Sequence, residues 1–236
     1  MTLIRFEDQD FPIQWSKRRR TIGIQIKDEQ LSVRAPFGTE VADIQAFVES
    51  KKQWIRKHLG KQNQQAQEVY RLAEGACIPI LGESKQLVYF SGSHPAIKVT
   101  DQHIQITVPK GHPNANLVAA ACVDFHLQQI AQKYIPAKAS AMAAQLGLEH
   151  RLNKVTFKKT KSKWGHCTHD GRLQFNYLIM LCPPPVVDYL IAHEVSHLKF
   201  IDHSENFWQT VAQLDPEYIH HRRWLRQQEH KLWLAF

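Results

Sequence analysis

No window of this 236-residue chain approaches the roughly 20 consecutive apolar residues that a helix needs to cross a bilayer, so a membrane-spanning helix is not expected. Cysteine is also scarce. Cys77, Cys122, Cys167 and Cys182 are scattered without a CxxC pair, which argues against a paired-cysteine zinc module or a disulfide framework and suits a reducing compartment. The first residues, MTLIRFEDQDF, place acidic side chains where a signal peptide needs an apolar stretch, so the expected address is the cytoplasm. No internal repeat and no long flexible linker is visible. Acidic residues are the minority charge, 22 against 30 Lys and Arg, for a formal net charge of +8. Part of the excess sits in two clusters, Lys17 to Arg20 and Lys158, Lys159, Lys161 and Lys163. Such clusters are either a solvated basic face or the footprint of an acidic partner such as nucleic acid.

What is present suffices for a folded enzyme: 43% hydrophobic residues over this length can bury one sizeable core, or a core with a smaller appended domain. From Ile13 to Pro36 the pattern alternates, with Asp28-Glu29-Gln30 between the arms, and predicts a hairpin. Thr39 is placed to cap a helix carrying Val41, Ile44, Phe47, Val48, Trp54 and Ile55, whose far end is the Gln-rich stretch of residues 62–67. Short alternating runs return between Ile78 and Val108. After Pro113 an Ala-, Leu- and Gln-rich segment reaches Leu146, with Pro136 as an expected kink or break. Strands are expected at Lys154 to Lys159 and Arg172 to Tyr177, and Pro183-Pro184-Pro185 precedes a helix from Val186 to Lys199. The reading is an α+β protein with a mostly β N-terminal domain over 1–110, containing one helix, and a catalytic domain over 111–236. Trp208, Trp224, Trp233, Leu225 and Leu232 recur at near-helical spacing in the last segments and are read as packing.

The chemistry concentrates in His193-Glu194-Val195-Ser196-His197. Four residues apart on a helix, the two histidines stand about 40° apart and one turn along the axis, so both imidazoles can reach one ion. Zinc favours nitrogen ligands, and a hydrolytic site leaves one position for water, whose proton Glu194 is placed to take. In an apolar helix, two histidines and a glutamate are costly without partners, and a metal supplies them. A tetrahedral site needs a third ligand, and the downstream candidates are His203, Glu205, Glu217, His220, His221 and Glu229. His203 lies six residues after His197, the offset of the last histidine in HExxHxxGxxH, although Phe200 stands where that signature has glycine. A continuous helix would rotate His203 by about 240° and carry it about 9 Å onward, so the chain must turn between Phe200 and Asp202. Ser204 as an N-cap before Glu205 leaves His203 on that turn. Glu217 or Glu229 from a following helix is the competing third ligand.

Lys163-Trp164-Gly165-His166-Cys167, the run Gly171 to Ile179, Asp188-Tyr189, His193 to Lys199, His203-Ser204 and Phe207-Trp208 resemble, in order, the YgjP-like zinc metallopeptidases, a family related to the SprT and WLM groups. Ser16 to Arg20, Trp54-Ile55 and Leu81-Gly82 extend the resemblance over almost the whole chain. It implies a zincin-like metallopeptidase core, three histidine ligands carried over onto His193, His197 and His203, and Glu194 as the catalytic base. His166 replaces the serine the family usually carries there. It is either a contact to substrate or ligands, or an ordinary loop replacement. The resemblance also implies that Arg172 to Tyr177 is an edge strand along which an extended peptide is laid. Arg172, Gln174 and Asn176, with His166, are then the substrate-binding candidates.

Three functions follow as expectations. The first is a zinc metallopeptidase acting on peptides or unfolded protein. The second is a metal-dependent nucleotide pyrophosphatase of the UTP type, with Arg172, Lys161 and Lys163 on the phosphates. The third is a nucleic-acid-associated protease by analogy with the SprT relatives, whose footprint would be the basic clusters.

Overall fold

The computed structural model describes residues 2–235 except Asp8, Asp28, Glu29, Glu68, Lys161 and Trp233, with the backbone alone at residues 27, 30, 61–67 and 235. The expected hairpin turn at Asp28 and Glu29, the Gln-rich side chains, Lys161 and Trp233 therefore lie outside the described residues. The chain forms two compact units, Met1–Glu68 and Val69–Phe236.

In the first unit, β1 (Leu3–Phe6), β2 (Gln9–Ser16), β3 (Gly23–Lys27) and β4 (Gln30–Pro36) form a sheet in the order β1-β2-β4-β3, with β2 and β4 parallel and the other pairs antiparallel. The period-two pattern does what alternation requires. Ile4, Phe6, Phe11, Ile13, Leu31, Val33 and Ala35 all point to one buried face. The hairpin expected from the alternation is β3–β4, with Ile24 opposite Val33. The expected single helix is two, α1 (Val41–Ser50) and α2 (Lys52–Gln67), which supply Ile44, Val48 and Ile55 to the same core. Thr39 does not cap α1. Its hydroxyl donates to the Pro36 carbonyl at 3.0 Å, and the N-cap is Glu40, which makes no side-chain cap bond.

The second unit begins with β5 (Tyr70–Arg71), β6 (Cys77–Ile80), β7 (Glu83–Gly92), β8 (Ala96–Val99) and β9 (His103–Pro109). The last four make a sheet in the order β6-β7-β9-β8, with β7 and β9 parallel. The long helix α3 (Ala115–Gln145) follows, capped by Asn114, whose Oδ1 accepts from the Leu117 N–H at 3.1 Å. A second sheet is built from β10 (Lys154–Phe157), β11 (Gly165–Cys167) and β12 (Arg172–Phe175). Helices α4 (Pro184–Ser196), α5 (Glu205–Leu214) and α6 (Tyr218–Gln228) complete the unit, and the short β13 (Leu234–Ala235) pairs in parallel with β5.

Ile78, Ile80, Leu87, Ile104 and Ile106 share one core with Val123, Leu127 and Ile135 of α3, Phe175 of β12, and Val187, Ile191 and Val195 of α4. The Leu81 N–H also donates to the Met180 carbonyl at 2.8 Å. The compact units divide after Glu68, and the strands between 70 and 109 share their core with the elements that follow residue 111. Pro136 does not break α3. The cost of an interior proline, about 3 kcal/mol, is opposed by the burial of Ala131, Ile135, Ala139, Met142 and Ala143 on either side of it.

Two features orient α4. Pro183 is its N-cap and Pro184 its first residue, where a missing N–H costs nothing because no intrahelical acceptor exists there. Asp188 accepts from the Tyr134 hydroxyl at 2.9 Å and from the Lys138 ammonium at 2.8 Å, tying α4 to α3. The helix ends at Ser196, three residues before the expected Lys199, with His197 as its C-cap.

Candidate metal centre

His193 leaves the last turn of α4 and His197 caps it. The chain then turns through Phe200 to Asp202, and α5 starts after Ser204, whose N–H is held by Asp202 Oδ1 at 3.3 Å. That turn returns His203 to the end of α4. Its Nε2 lies 3.2 Å from His193 Nε2, and one ring nitrogen from each of His193, His197 and His203 lies within 4.8 Å of the others. His197 Nδ1 is 2.9 Å from the Phe200 carbonyl. A carbonyl can only accept, so Nδ1 carries the proton and Nε2 keeps its lone pair for the cluster.

Burial holds the His193 imidazole down at about 3, reinforced by His197, His203 and Arg222, and burial lowers His197 in the same sense. Both are therefore neutral donors at pH 7. His193 Nδ1 is buried without a hydrogen-bond partner among the described residues. These features fit a cation. Zinc–nitrogen bonds of 2.0–2.1 Å in a tetrahedron put ligand nitrogens about 3.3 Å apart, close to the separation in the His193–His203 pair.

Glu194 lies beside the triad at 4% exposure, and its Oε2 also has no hydrogen-bond partner among the described residues. Burial pushes its carboxyl up to about 8, while nearby Lys163 pulls the other way. The space for this side chain exists because residue 165 is glycine. A Cβ added there would sit 2.6 Å from both Cγ and Cδ of Glu194. The floor is Phe207, fully buried, with ring centroids 5.0, 4.5 and 4.8 Å from those of His193, His197 and His203. Trp208 stacks on the His203 ring at 5.7 Å and 22°, and the Arg222 guanidinium covers Trp208 at 4.3 Å.

The three histidines and Glu194 open into a cavity of about 890 Å³ that also takes in Arg151, Lys163, Gly165, His166 and Ile201. His166 is thus brought to the site, whereas Arg172, Gln174 and Asn176 do not line it. The Arg172 guanidinium pairs with Asp170 at 2.7 Å. Asn176 is 1% exposed and spends its amide internally, donating to the Thr160 carbonyl at 3.0 Å and accepting from the Leu178 N–H at 3.1 Å. The expected edge strand is also displaced. β12 is the middle strand, paired in parallel with β10 and antiparallel with β11, so it has no unpaired side for a peptide. The edge next to Glu194 is β11. Gly171, at φ +77°, makes the turn between them, and a Cβ there would strike the Arg151 backbone.

Among the other ligand candidates, Glu229 Oε2 accepts from Trp164 Nε1 at 3.3 Å and Glu217 is the exposed N-cap of α6. Neither joins the cluster. Cys167 lines the cavity, but burial pushes its thiol up to about 11, which leaves it protonated and a poor ligand. Lys159 of the second basic cluster is paired with Asp124 at 2.7 Å. Among the described residues, no helix is long and apolar enough to cross a membrane. Sequence reasoning missed Gly165, Phe207 and Arg151 as parts of the site. Gly165 and Phe207 stood within recognised motifs, yet nothing in the sequence marked them as the shelf and the floor of the ligand set.

No functionally curated protein matches the chain. Among solved structures, the metallopeptidase zymogen of Pyrococcus abyssi abylysin is similar over 40% of this chain and 95% of its own, at 21% identity and a TM-score of 0.37. The model of the YgjP-like metallopeptidase domain matches residues 20–228, and so the chain belongs to the YgjP-like metallopeptidase family.

Proposed function

We propose that this protein is a zinc-dependent peptidase in which His193, His197 and His203 hold the ion and Glu194 is the general base. Membership of a metallopeptidase family implies a metal cofactor and hydrolytic chemistry. The observation that carries the finer reading is the convergence of three imidazole nitrogens within 4.8 Å beside a buried, unpartnered carboxylate oxygen. When bound, zinc supplies Lewis acidity that polarises the scissile carbonyl and acidifies a water.

The residues of the chain do the rest. The His197 Nδ1–H bond to Phe200 fixes one ligand ring, and the Phe207 floor keeps water from the underside of the triad. Glu194 accepts the proton of the attacking water at its carboxylate and returns it to the leaving amine. A carboxyl raised toward neutrality suits both halves of that transfer. The test pairs metal analysis with Glu194→Gln, which keeps the shape but cannot take the proton. We expect about one zinc per chain in both proteins, and a rate on unfolded protein lowered by about 10² to 10⁴ in the variant. Native activity in Glu194→Gln removes the assigned base. Full zinc content in the double variant His193→Ala, His197→Ala removes the assigned ligands.

A further inference from the structure

The cavity beside the triad is lined by an excess of basic groups. Arg151 and Lys163 line it together with His150, His166 and His169. The acidic groups on its wall are Glu194, already placed in the chemistry, and Asp170, which is neutralised by Arg172 at 2.7 Å. Elsewhere in this unit Lys138 pairs with Asp188 at 2.8 Å and Lys159 with Asp124 at 2.7 Å. Arg151 and Lys163 have no ion-pair or side-chain hydrogen-bond partner among the described residues. Two unpaired cations facing one cleft focus a positive potential into it.

Their placement is informative. Lys163 stands two residues before β11, and its charge acts on Glu194. Arg151 acts on Cys167 at the other end of β11, and its backbone is held there by the close approach of Gly171. The cations thus flank a three-residue strand roughly 7 Å long, the open edge of the β10-β12-β11 sheet nearest the candidate metal centre. Resting on the peptidase reading, we infer that the cleft selects peptide segments with acidic side chains on both sides of the scissile bond. A segment laid along β11 presents side chains to Lys163 on one side and to Arg151 on the other. A polyphosphate concentrates its charge at one end of a small molecule, so it matches two cations spread along a strand edge less well.

The experiment uses zinc-loaded full-length protein and a set of quenched peptides with one apolar centre, flanked by Asp and Glu, by Asn and Gln, or by Lys and Arg. Exposed pairs are each worth little, so the acidic peptide is expected to exceed the basic one roughly 3- to 30-fold in kcat/KM at low salt, with the ratio shrinking in about 0.5 M salt. The double variant Arg151→Glu, Lys163→Glu should invert the ratio, which is insensitive to any general loss of rate. Equal rates for the three peptides in the native protein, or a preference unchanged by charge reversal, overturn the inference and leave the peptidase reading standing. If no peptide is cleaved, the peptidase reading fails, and the preference is read from binding to zinc-loaded Glu194→Gln protein. Tighter binding of the acidic peptide supports the inference there. Equal binding of all peptides, or a nucleoside triphosphate that binds tighter and is hydrolysed by the native enzyme, overturns it.

Discussion

Replacing Gly165 by alanine introduces one methyl group at the most crowded point of the site. Its Cβ would lie 2.6 Å from Cγ and Cδ of Glu194, whereas carbon atoms rest at about 3.5 to 4.0 Å, so the two groups must separate by about 1 Å. Neither backbone yields readily. α4 is tied to α3 through Asp188, and β11 is held in register against β12, with Gly165 opposite Phe175. At 4% exposure, Glu194 can yield only toward the cavity it lines. The carboxylate therefore rotates away from its working position. Misplacement of a catalytic group by about 1 Å costs on the order of 10²-fold in rate, or about 2.7 kcal/mol in barrier. The three atoms nearest the added methyl all belong to Glu194, so zinc content should match the native protein. Peptide hydrolysis by Gly165→Ala, measured with zinc stoichiometry and thermal denaturation on the same sample, should show a lowered kcat with metal and fold retained. In a Glu194→Gln background the same alanine should cost almost nothing, because both changes act through one carboxylate. Native kcat in Gly165→Ala, or losses that multiply in the double variant, would refute the reasoning.

His203→Ala should weaken zinc binding far more than Glu217→Ala or Glu229→Ala, read by competition with a chromophoric chelator; the reverse ranking moves the third ligand onto α6 or the turn after it. Phe207→Ala opens a cavity under all three rings and should destabilise the fold by about 3 to 5 kcal/mol in denaturant titration, with a loss of zinc affinity that Phe207→Leu largely avoids. In metal-stripped protein the two buried groups act in opposite senses. His193, lowered from 6.5 to about 3, stabilises least in acid, so its contribution is lost as pH falls below about 6.5. Glu194, raised from 4.5 to about 8, favours the fold while protonated, and that contribution is lost as pH rises from 4.5 through 8. Chemical denaturation with chelator present should therefore find greatest stability at mildly acidic pH, and Glu194→Gln should abolish the alkaline decline; an unchanged decline in that variant would mean the carboxyl is not the group being charged.

The parts of this site that were legible in the sequence are those fixed by one local period. Four residues on a helix bring His193 and His197 to one side whatever the rest of the chain does. The need to turn before His203 followed from the same geometry, and the structure makes that turn between Phe200 and Asp202. The parts that were not legible depend on what lies across a surface. Alternation in β6 to β9 reports that one face is buried, not which element covers it, and the core this face joins is shared with α3 and α4. The resemblance implied that the run at Arg172 is the edge strand, whereas β12 is the centre of its sheet; the edge is β11, whose three residues are too few to show a period. Thr39 and Pro136 show local propensity yielding to context: a turn carbonyl claimed the hydroxyl, and packing on both sides carried the helix through the proline.

The same distinction explains why recognition of the motif was no guide to the wall of the cleft. Metal ligation constrains residue identity at three positions and leaves traces a reader can find. Substrate selection needs only that a charge of one sign be left unpaired at the right distance, and any loop can supply it. Arg172 and Lys163 look equivalent in the sequence, basic residues nine positions apart on either side of one loop. In the folded chain Asp170 neutralises the first, while the second lines the cavity with no ion-pair partner among the described residues. That difference arises from which carboxylate happens to lie within 4 Å, a property of tertiary contact. On the proposed reading, the residues that would choose a substrate are accordingly those whose partners are missing, and only the fold reveals which they are.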